Sequence, residues 1–301
     1  MHTQNRSQHP SLARPSLMNT AILLVSCPDR RGLVADVTEF IHRNNGNILD
    51  LEQHVDREEG VFFMRVEWDL QGFAIPPEKI EEYFHTLIGQ RNGMRVNLHL
   101  EPAVKRMAVF ASHLPHCLYD LLSRAKSGEW AVDVPLIISN HEKLRHIAEQ
   151  FEIPFHALPV TPETKAKQEA RALELMAQAG IDLVVLARYM QVVTPAFLEA
   201  YPNRVINIHH SFLPAFPGAK PYHSAYERGV KIIGATSHYV TPDLDQGPII
   251  AQGVTPVTHR DSVEDMKRKG LDLEKTVLAQ AVWAHLRHRT IVYRNRTVVF
   301  G

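Results

Sequence analysis

The chain has 301 residues, of which 45% are hydrophobic and 22% charged, and 33 basic residues balance 33 acidic ones. This length predicts two domains, and the composition is typical of a globular protein with a sizeable core. A net charge of zero gives no reason to expect a nucleic-acid or membrane-surface partner. The only cysteines, Cys27 and Cys117, exclude a disulfide framework and a four-cysteine zinc site, and they favour a reducing, cytoplasmic compartment.

Residues 1–19 are expected to form a disordered leader. They are polar and lack the apolar stretch of a signal peptide. No run of about 18 apolar residues occurs anywhere in the chain, so the sequence predicts no membrane span.

Residues 20–101 show an order of elements that predicts a ferredoxin-like βαββαβ domain. Short apolar runs predict strands at 20–26, 48–56, 61–68 and 94–100. Helical spacing predicts a first helix that buries Leu33, Val34, Val37, Phe40 and Ile41. A second helix is expected to bury Ile80, Tyr83, Phe84 and Leu87.

Two segments of this domain resemble the ACT family, whose small regulatory domains commonly bind amino acids. They are Cys27 to Leu33 (CPDRRGL) and Asn47-Ile48. The resemblance implies that the two segments face each other, and helix N-terminal amides can hold a carboxylate. The implied effector residues are Asp29, Arg30, Gly32, Leu33, Asn47 and Ile48. The alternative is a domain of this shape that binds nothing and only dimerises, and in either case we expect a homo-oligomer, a dimer or a tetramer.

Residues 102–106 are predicted to be a linker, and residues 107–301 to form a doubly wound, mostly parallel, Rossmann-like domain. Buried runs alternating with helical patterns favour this class. Strands are predicted at 107–112, 132–139, 154–158, 183–187, 205–208, 232–240 and 253–257. Helices are predicted at 117–125, 141–151, 164–179, 195–200 and 263–289, and Gly270 is expected to mark an insertion or a helix start.

The segment from Val205 to Gly218 (VINIHHSFLPAFPG) gives the strongest indication of chemistry. Its strand carries Asn207 and His209 on one face at the carboxyl end, where ligands of open α/β sheets bind. A proline-rich loop, 213–221, is expected to cross this site. A later turn-rich loop holds Asp245.

An amide, an imidazole and a carboxylate suit acyl transfer. Asn207 can donate to a developing oxyanion, and His209 can stabilise that oxygen or move a proton near neutral pH. Asp245 can orient the nucleophile and keep the imidazole basic. A metal on His209 and His210 is the alternative. Neighbouring strand residues point to opposite faces and no metal-ligand spacing accompanies them, so the sequence predicts neither a metal nor a cofactor.

Three motifs make the second domain similar to the formyltransferase family that uses 10-formyltetrahydrofolate. They are Asn207-x-His209-x-Ser211-Phe-Leu-Pro214, Gly218 and Leu244-Asp245-x-Gly247-Pro248. The resemblance implies that Asn207, His209 and Asp245 are catalytic and that His238 supports them. It implies folate binding by Met190, Gln191, Val192, Val193, Val240, Thr241, Asp243 and Leu244.

The two domains together resemble the formyltetrahydrofolate deformylases. That resemblance implies hydrolysis of 10-formyltetrahydrofolate to tetrahydrofolate and formate, which would supply one-carbon and purine metabolism. The loop Ala111 to Cys117 (ASHLPHC) contains no glycine, so it suits a phosphate-bearing acceptor poorly and favours water. The alternatives are a folate-dependent transferase that formylates an amine and a non-catalytic amino-acid sensor.

Overall fold

The computed structural model describes residues 19–214 and 221–301. Contacts divide the chain into two compact units, with the boundary between Ala103 and Val104. Residues 1–18 of the predicted leader and Gly218 of the predicted site lie outside the described residues. Asn19 is described, and its carbonyl accepts a hydrogen bond from the backbone amide of Leu70. No helix in the described part of the chain is both long and apolar enough to cross a membrane.

The first unit is a four-stranded antiparallel sheet with helices packed on one face. Its strands are β1 (Thr20–Pro28), β2 (Asn47–Asp56), β3 (Val61–Asp69) and β4 (Arg95–Glu101), in the order β2-β3-β1-β4. Helix α1 (Leu33–Arg43) follows β1. The second helical segment joins a 3-10 turn (Pro77–Lys79), α2 (Ile80–Phe84), a π turn (His85–Gly89) and α3 (Gln90–Asn92). The ferredoxin-like prediction is therefore confirmed.

The buried face of α1 agrees with the predicted spacing except at one position. Leu33, Val37, Phe40 and Ile41 are buried against the sheet, whereas Val34 is 39% exposed. Val34 neighbours Leu33 in sequence, and successive helical residues point in different directions, so only one of the two reaches the core.

The second helical segment buries a different face from the one predicted. Ile80 and Phe84 are buried, but Tyr83 and Leu87 are 46% and 59% exposed, so the prediction is wrong at these two positions. The π turn places more residues in one turn than an α-helix does. Ile88 therefore takes the core position that was predicted for Leu87.

The second unit is a seven-stranded sheet in the order β11-β10-β9-β8-β5-β6-β7. Its strands are β5 (Lys105–Ala111), β6 (Val132–Ser139), β7 (Phe155–Ala157), β8 (Leu183–Ala187), β9 (Val205–His209), β10 (Ile232–Tyr239) and β11 (Ile249–Pro256). Strands β5 to β9 pair in parallel, and β10 pairs antiparallel with β9 and β11. This confirms the mostly parallel Rossmann-like prediction.

Helices cover both faces of this sheet. They are α4 (His116–Ser127), α5 (Arg145–Gln150, after a 3-10 turn at Glu142–Leu144), α6 (Lys165–Gln178), α7 (Pro195–Ala200), α8 (Pro221–Arg228) and α9 (Val263–Leu286). One core contains Leu121 of α4 and Val277 of α9, and the other contains Leu175 of α6 and Phe197 of α7. Strands covered on both faces read as continuous apolar runs, which is why the sequence located them well.

Two strand starts in the second unit differ from the prediction by two residues or more. Lys105 and Arg106 were expected in the linker but belong to β5, and β11 begins at Ile249 rather than at Gly253. Arg106 can lie at the second position of this strand because its backbone amide and its guanidinium find acceptors. Its backbone amide donates to the Asp182 carboxylate at 2.8 Å, and its Nε donates to a backbone carbonyl at 2.6 Å.

Gly270 marks neither an insertion nor a helix start, since it lies inside α9. A Cβ atom at this position would lie 1.9 Å from the hydroxyl oxygen of Tyr222. The glycine therefore allows α8 to approach α9 closely. The chain continues beyond α9 with a hairpin that the sequence did not predict, formed by β12 (Thr290–Tyr293) and β13 (Arg296–Val299).

Candidate active site

Strand β9 carries two of the predicted catalytic side chains to the edge of the sheet. It pairs in parallel with β8, where Leu186 is opposite Asn207, and antiparallel with β10, where His238 is opposite Asn207 and Thr236 is opposite His209. Side chains two residues apart on a strand point to one face. Asn207 and His209 therefore share a face at the carboxyl end of β9.

The loop after β10 brings a carboxylate to these side chains. Asp245 has a left-handed backbone conformation, with φ of 56°. Two residues later the loop passes so close to β10 that a Cβ atom on Gly247 would lie 1.7 Å from the Tyr239 carbonyl oxygen. Only glycine permits this approach. The resulting fold of the loop places Asp245 Oδ2 at 3.2 Å from His209 Nδ1.

The contact between Asp245 and His209 affects the charge of the carboxylate and the orientation of the imidazole. The hydrogen bond from His209 holds the pKa of the Asp245 carboxyl below its usual range, so the carboxylate is ionised at neutral pH. When His209 is neutral and its Nδ1 carries the proton, its Nε2 carries a lone pair. That Nε2 atom is buried and has no hydrogen-bond partner within residues 19–214 and 221–301.

His238 orients the amide of Asn207. Its Nδ1 lies 2.9 Å from the Tyr239 carbonyl oxygen, which can only accept, so Nδ1 carries the proton. Its Nε2 then accepts a hydrogen bond from Asn207 Nδ2 at 3.3 Å. Burial lowers the pKa of His238 and keeps the ring neutral at pH 7. An amide nitrogen carries two hydrogens, so Asn207 can donate a second bond.

These groups form one wall of a pocket with a volume of about 330 Å³. Every predicted folate-binding residue except Asp243 lines it: Met190, Gln191, Val192, Val193, Val240, Thr241 and Leu244. Met190, Val192 and Leu244 are among the exposed large apolar side chains of the chain. Apolar side chains grouped around a concave site with a few polar groups are typical of a small-molecule site.

Asp243 shapes the loop rather than the pocket wall. Its backbone carbonyl accepts hydrogen bonds from the Thr241 hydroxyl at 3.1 Å and from the backbone amide of Gln246 at 3.3 Å. The pocket also has lining residues that the sequence analysis missed, namely Leu186, Arg188, Tyr189, Ile208 and His210. They lie at or just after the carboxyl ends of β8 and β9, and that position could have indicated them.

His210 lies directly beside the predicted catalytic histidine. Its ring centroid is 5.1 Å from that of His209 and 6.2 Å from that of Tyr222. Burial lowers the pKa of His210 to about 4. Its ring is therefore uncharged at neutral pH.

One group of described residues has metal-ligating atoms close together. His116, Cys117 and Glu274 place such atoms within 4.8 Å of one another. The imidazole Nε2 of His116 already lies 2.8 Å from Glu274 Oε2, and burial raises the pKa of the Cys117 thiol well above its usual range. A thiol that stays protonated is a poor ligand.

The predicted effector residues lie in two places in the first unit. Gly32 directly precedes α1 as its N-cap residue, with φ of 91°, and Leu33 at the first position of the helix is buried. Asp29 donates its backbone amide to the Gly60 carbonyl at 2.8 Å, and Arg30 lies 3.9 Å from the carboxylate of Asp36. Asp29, Arg30 and Gly32 thus lie in the loop between β1 and α1, and Leu33 is the first residue of the helix.

The start of β2 does not face that loop within one chain, so the expectation implied by the ACT resemblance is wrong on this point. Asn47 and Ile48 are opposite Asp69 and Trp68 of β3, and Asp69 is also opposite Thr20, the first residue of β1. Strand β2 therefore starts beside the start of β1, whereas the loop follows the end of β1. Nine residues of extended chain separate the two ends, roughly 25 Å.

Comparisons with known proteins identify both units. The formyl transferase family model matches residues 105–282, and the ACT domain model matches residues 21–82. A formyltetrahydrofolate deformylase from Synechocystis is 53% identical over 282 residues, covering 94% of this chain and 99% of that protein. The deformylase of Escherichia coli is 42% identical over 279 residues, covering 92% and 97%.

Solved structures agree with these matches. A formyltetrahydrofolate deformylase from Pseudomonas syringae superposes with a TM-score of 0.91 at 45% identity, covering 94% of this chain and 95% of that one. A glycinamide ribonucleotide transformylase from Symbiobacterium toebii has a TM-score of 0.63 at 32% identity, covering 68% of this chain and 98% of that one. The likeness to the deformylases thus extends over nearly the whole chain, and this protein belongs to the formyltetrahydrofolate deformylase family.

Proposed function

We propose that this chain hydrolyses 10-formyltetrahydrofolate to tetrahydrofolate and formate, with Asn207, His209 and Asp245 as the catalytic residues and without a metal or another cofactor. The observation that carries this proposal is the buried Nε2 of His209 in the pocket, which has no partner among the residues that the structure describes, while Nδ1 contacts Asp245. An imidazole held in this way has a free basic atom and a fixed orientation.

His209 acts as the general base in this proposal. Its Nε2 takes a proton from the attacking water, and the Asp245 carboxylate stabilises the imidazolium that forms. The water oxygen bonds to the formyl carbon, and the carbonyl oxygen becomes an oxyanion. The lowered pKa of Asp245 supports this role because the carboxylate is ionised at neutral pH.

Asn207 donates a hydrogen bond to the oxyanion. His238 engages one amide hydrogen, so the second amide hydrogen has a fixed direction. The tetrahedral intermediate collapses when the C–N bond breaks, and the nitrogen takes the proton that His209 holds. His238 does not touch the reacting atoms in this proposal, and it acts as a positioning residue.

The apolar side of the pocket would hold the folate. Met190, Val192 and Leu244 offer exposed apolar surface in the lining of the pocket, which suits a flat aromatic ring. The reacting formyl group would then lie toward the polar side, where Asn207 and His209 are found.

Water is the favoured acceptor because the loop after β5 offers few groups that could bind the phosphate of another acceptor. This loop has no glycine, and His116 at its end is paired with the buried carboxylate of Glu274 at 2.8 Å. The phosphate of a ribonucleotide acceptor needs free backbone amides or unpaired cations. The pairing of His116 with Glu274 leaves fewer of them.

Formate release from 10-formyltetrahydrofolate tests the proposal, with any formylated amine measured in the same reactions. Asn207→Ala, His209→Ala and Asp245→Asn should each lower kcat by about a hundredfold or more, because each removes a group that acts on the transition state. His146→Ala is the control, since His146 is exposed on α5 and does not line the pocket. Folded triad variants with wild-type turnover would refute the assignment, and formylated amine without formate would establish a transferase.

We also propose that the chain works in the cytoplasm as a homo-oligomer and that its ACT unit binds an amino acid. Both cysteines are free and buried, which fits a reducing compartment. The loop at Asp29 to Leu33 and the start of β2 at Asn47 lie at opposite ends of the sheet of one chain. A single effector site made of both segments would therefore require two chains. The test measures the oligomeric state by light scattering and the turnover, each with and without an added amino acid.

A further inference from the structure

Arg188 is the only arginine or lysine among the described residues that line the active-site pocket. It directly follows β8 and has a left-handed backbone conformation, with φ of 59°. This conformation is unfavourable for a residue with a side chain, and it persists where the surroundings impose it. The side chain is only 11% exposed. The fold therefore holds a cation in the pocket at an energetic cost.

A buried acid fixes the position of this arginine. Glu274 of α9 is fully buried, and its Oε2 lies 3.5 Å from Arg188 Nε and 2.8 Å from His116 Nε2. Its Oε1 accepts a hydrogen bond from the Tyr222 hydroxyl at 3.1 Å. The carboxylate thus has contacts from three sides. Arg188 Nε is buried and makes no hydrogen bond within the described part of the chain, so Glu274 contacts it as an ion pair and not through a hydrogen bond.

The reaction proposed above creates an anion beside this cation. Water adds its oxygen to the formyl carbon, the C–N bond breaks, and the nitrogen keeps the electron pair and takes one proton. The second proton of the water, which is the acidic proton of formic acid, leaves through His209 to solvent, and formate carries one negative charge. The same pocket holds the carboxylate of Asp245, which repels that anion.

We propose that Arg188 binds the carboxylate of formate and so forms a product subsite held in place by Glu274. This inference rests on the proposed hydrolysis. A planar guanidinium matches the two oxygens of a carboxylate with two parallel hydrogen bonds, and a lysine ammonium at the same place offers only a point charge. Arg188 therefore differs from a cation whose sole role is to neutralise Glu274, for which any positive charge suffices.

The test is the dissociation constant of ¹³C-labelled sodium formate, measured by NMR titration of the full-length protein. Arg188→Lys keeps a positive charge next to Glu274 and removes the planar fork, and we expect at least about tenfold weaker formate binding. Arg188→Gln removes the charge as well and should weaken binding further. Arg145→Lys is the matched control, because Arg145 pairs with exposed Glu142 and does not line the pocket, and it should bind formate like the wild type.

Thermal unfolding of the same proteins separates the two roles of Arg188. Wild-type formate affinity in Arg188→Lys and Arg188→Gln, with a lowered Tm, would assign Arg188 to charge neutralisation alone and overturn the subsite. Failure of the wild type to bind formate would overturn it too. If the wild type binds formate through Arg188 but releases none from 10-formyltetrahydrofolate, the hydrolysis proposal fails while the anion site stands. If formate is released and the variants keep wild-type affinity, only the subsite fails.

Discussion

Replacing His210 by glutamine should change how the stability of the second unit depends on pH. His210 is 9% exposed, and burial lowers its pKa from an ordinary value near 6.5 to about 4. Between these two values the unfolded chain binds a proton at His210 and the folded chain does not. Stability is therefore lost as pH falls below about 6.5, and the loss levels off below about pH 4.

The size of this effect follows from the two pKa values. A separation of about 2.5 pKa units corresponds to about 3 kcal/mol in total, of which about 2 kcal/mol is reached at pH 5. Glutamine has no proton to gain in this range. The wild type should thus lose about 2 kcal/mol of unfolding free energy relative to His210→Gln between pH 7 and pH 5. The other buried histidines titrate in both proteins, so their contributions cancel in the difference.

The unfolding free energy of the second unit is measured by urea titration at pH 7, 6 and 5, with hydrogen exchange of α9 peptides as the readout. The informative quantity is the difference between the wild type and the variant at each pH, because a cavity or an altered contact in the variant shifts all three values equally. A difference that stays constant from pH 7 to pH 5 would refute the reasoning. It would mean that His210 is protonated in the folded protein as readily as in the unfolded one.

Two further substitutions test the elements that position the site. Gly247→Ala would place a Cβ atom 1.7 Å from the Tyr239 carbonyl oxygen, so the loop that carries Asp245 must move by more than about 1 Å. We expect kcat to fall by about a hundredfold because Asp245 moves with the loop. Normal turnover in a folded variant would contradict this. Ser262→Ala removes the capping box that Ser262 and Asp265 form at the start of α9, and it should lower the unfolding free energy by about 1 kcal/mol with kcat unchanged. An unchanged denaturation midpoint for Ser262→Ala would show that the cap does not stabilise α9.

The sequence predicted the sheet of the second unit because its strands are buried on both faces. Leu183 to Ala187 is an uninterrupted apolar run, and so short a run fits few secondary structures other than a buried strand. The sequence predicted the shared face of Asn207 and His209 for a related reason, since their spacing fixes it once β9 is a strand. What depended on strand periodicity was therefore predictable.

The features that the sequence missed depend on contacts between distant segments. Gly270 resembles a break in a helix until Tyr222, far away in sequence, is seen to occupy the space of its missing side chain. Leu87 follows the helical spacing, but a π turn rotates it to the surface. Arg188 has no motif around it, and its role depends on Glu274, which lies on α9. Periodicity within one segment contains none of this information.

The mixed pairing of β9 has a consequence for how this site could be redesigned. Asn207 sits opposite Leu186 on one side and opposite His238 on the other, in ladders of opposite direction. A slip of one residue would turn Ile206 toward the pocket and would force Asn207 and His209 into the apolar core in which Ile206 lies. Asn207 and His209 are thus fixed by the sheet register, whereas the neighbouring loops are not bound by it. Engineering a new acceptor should therefore succeed through those loops, with the strand left intact.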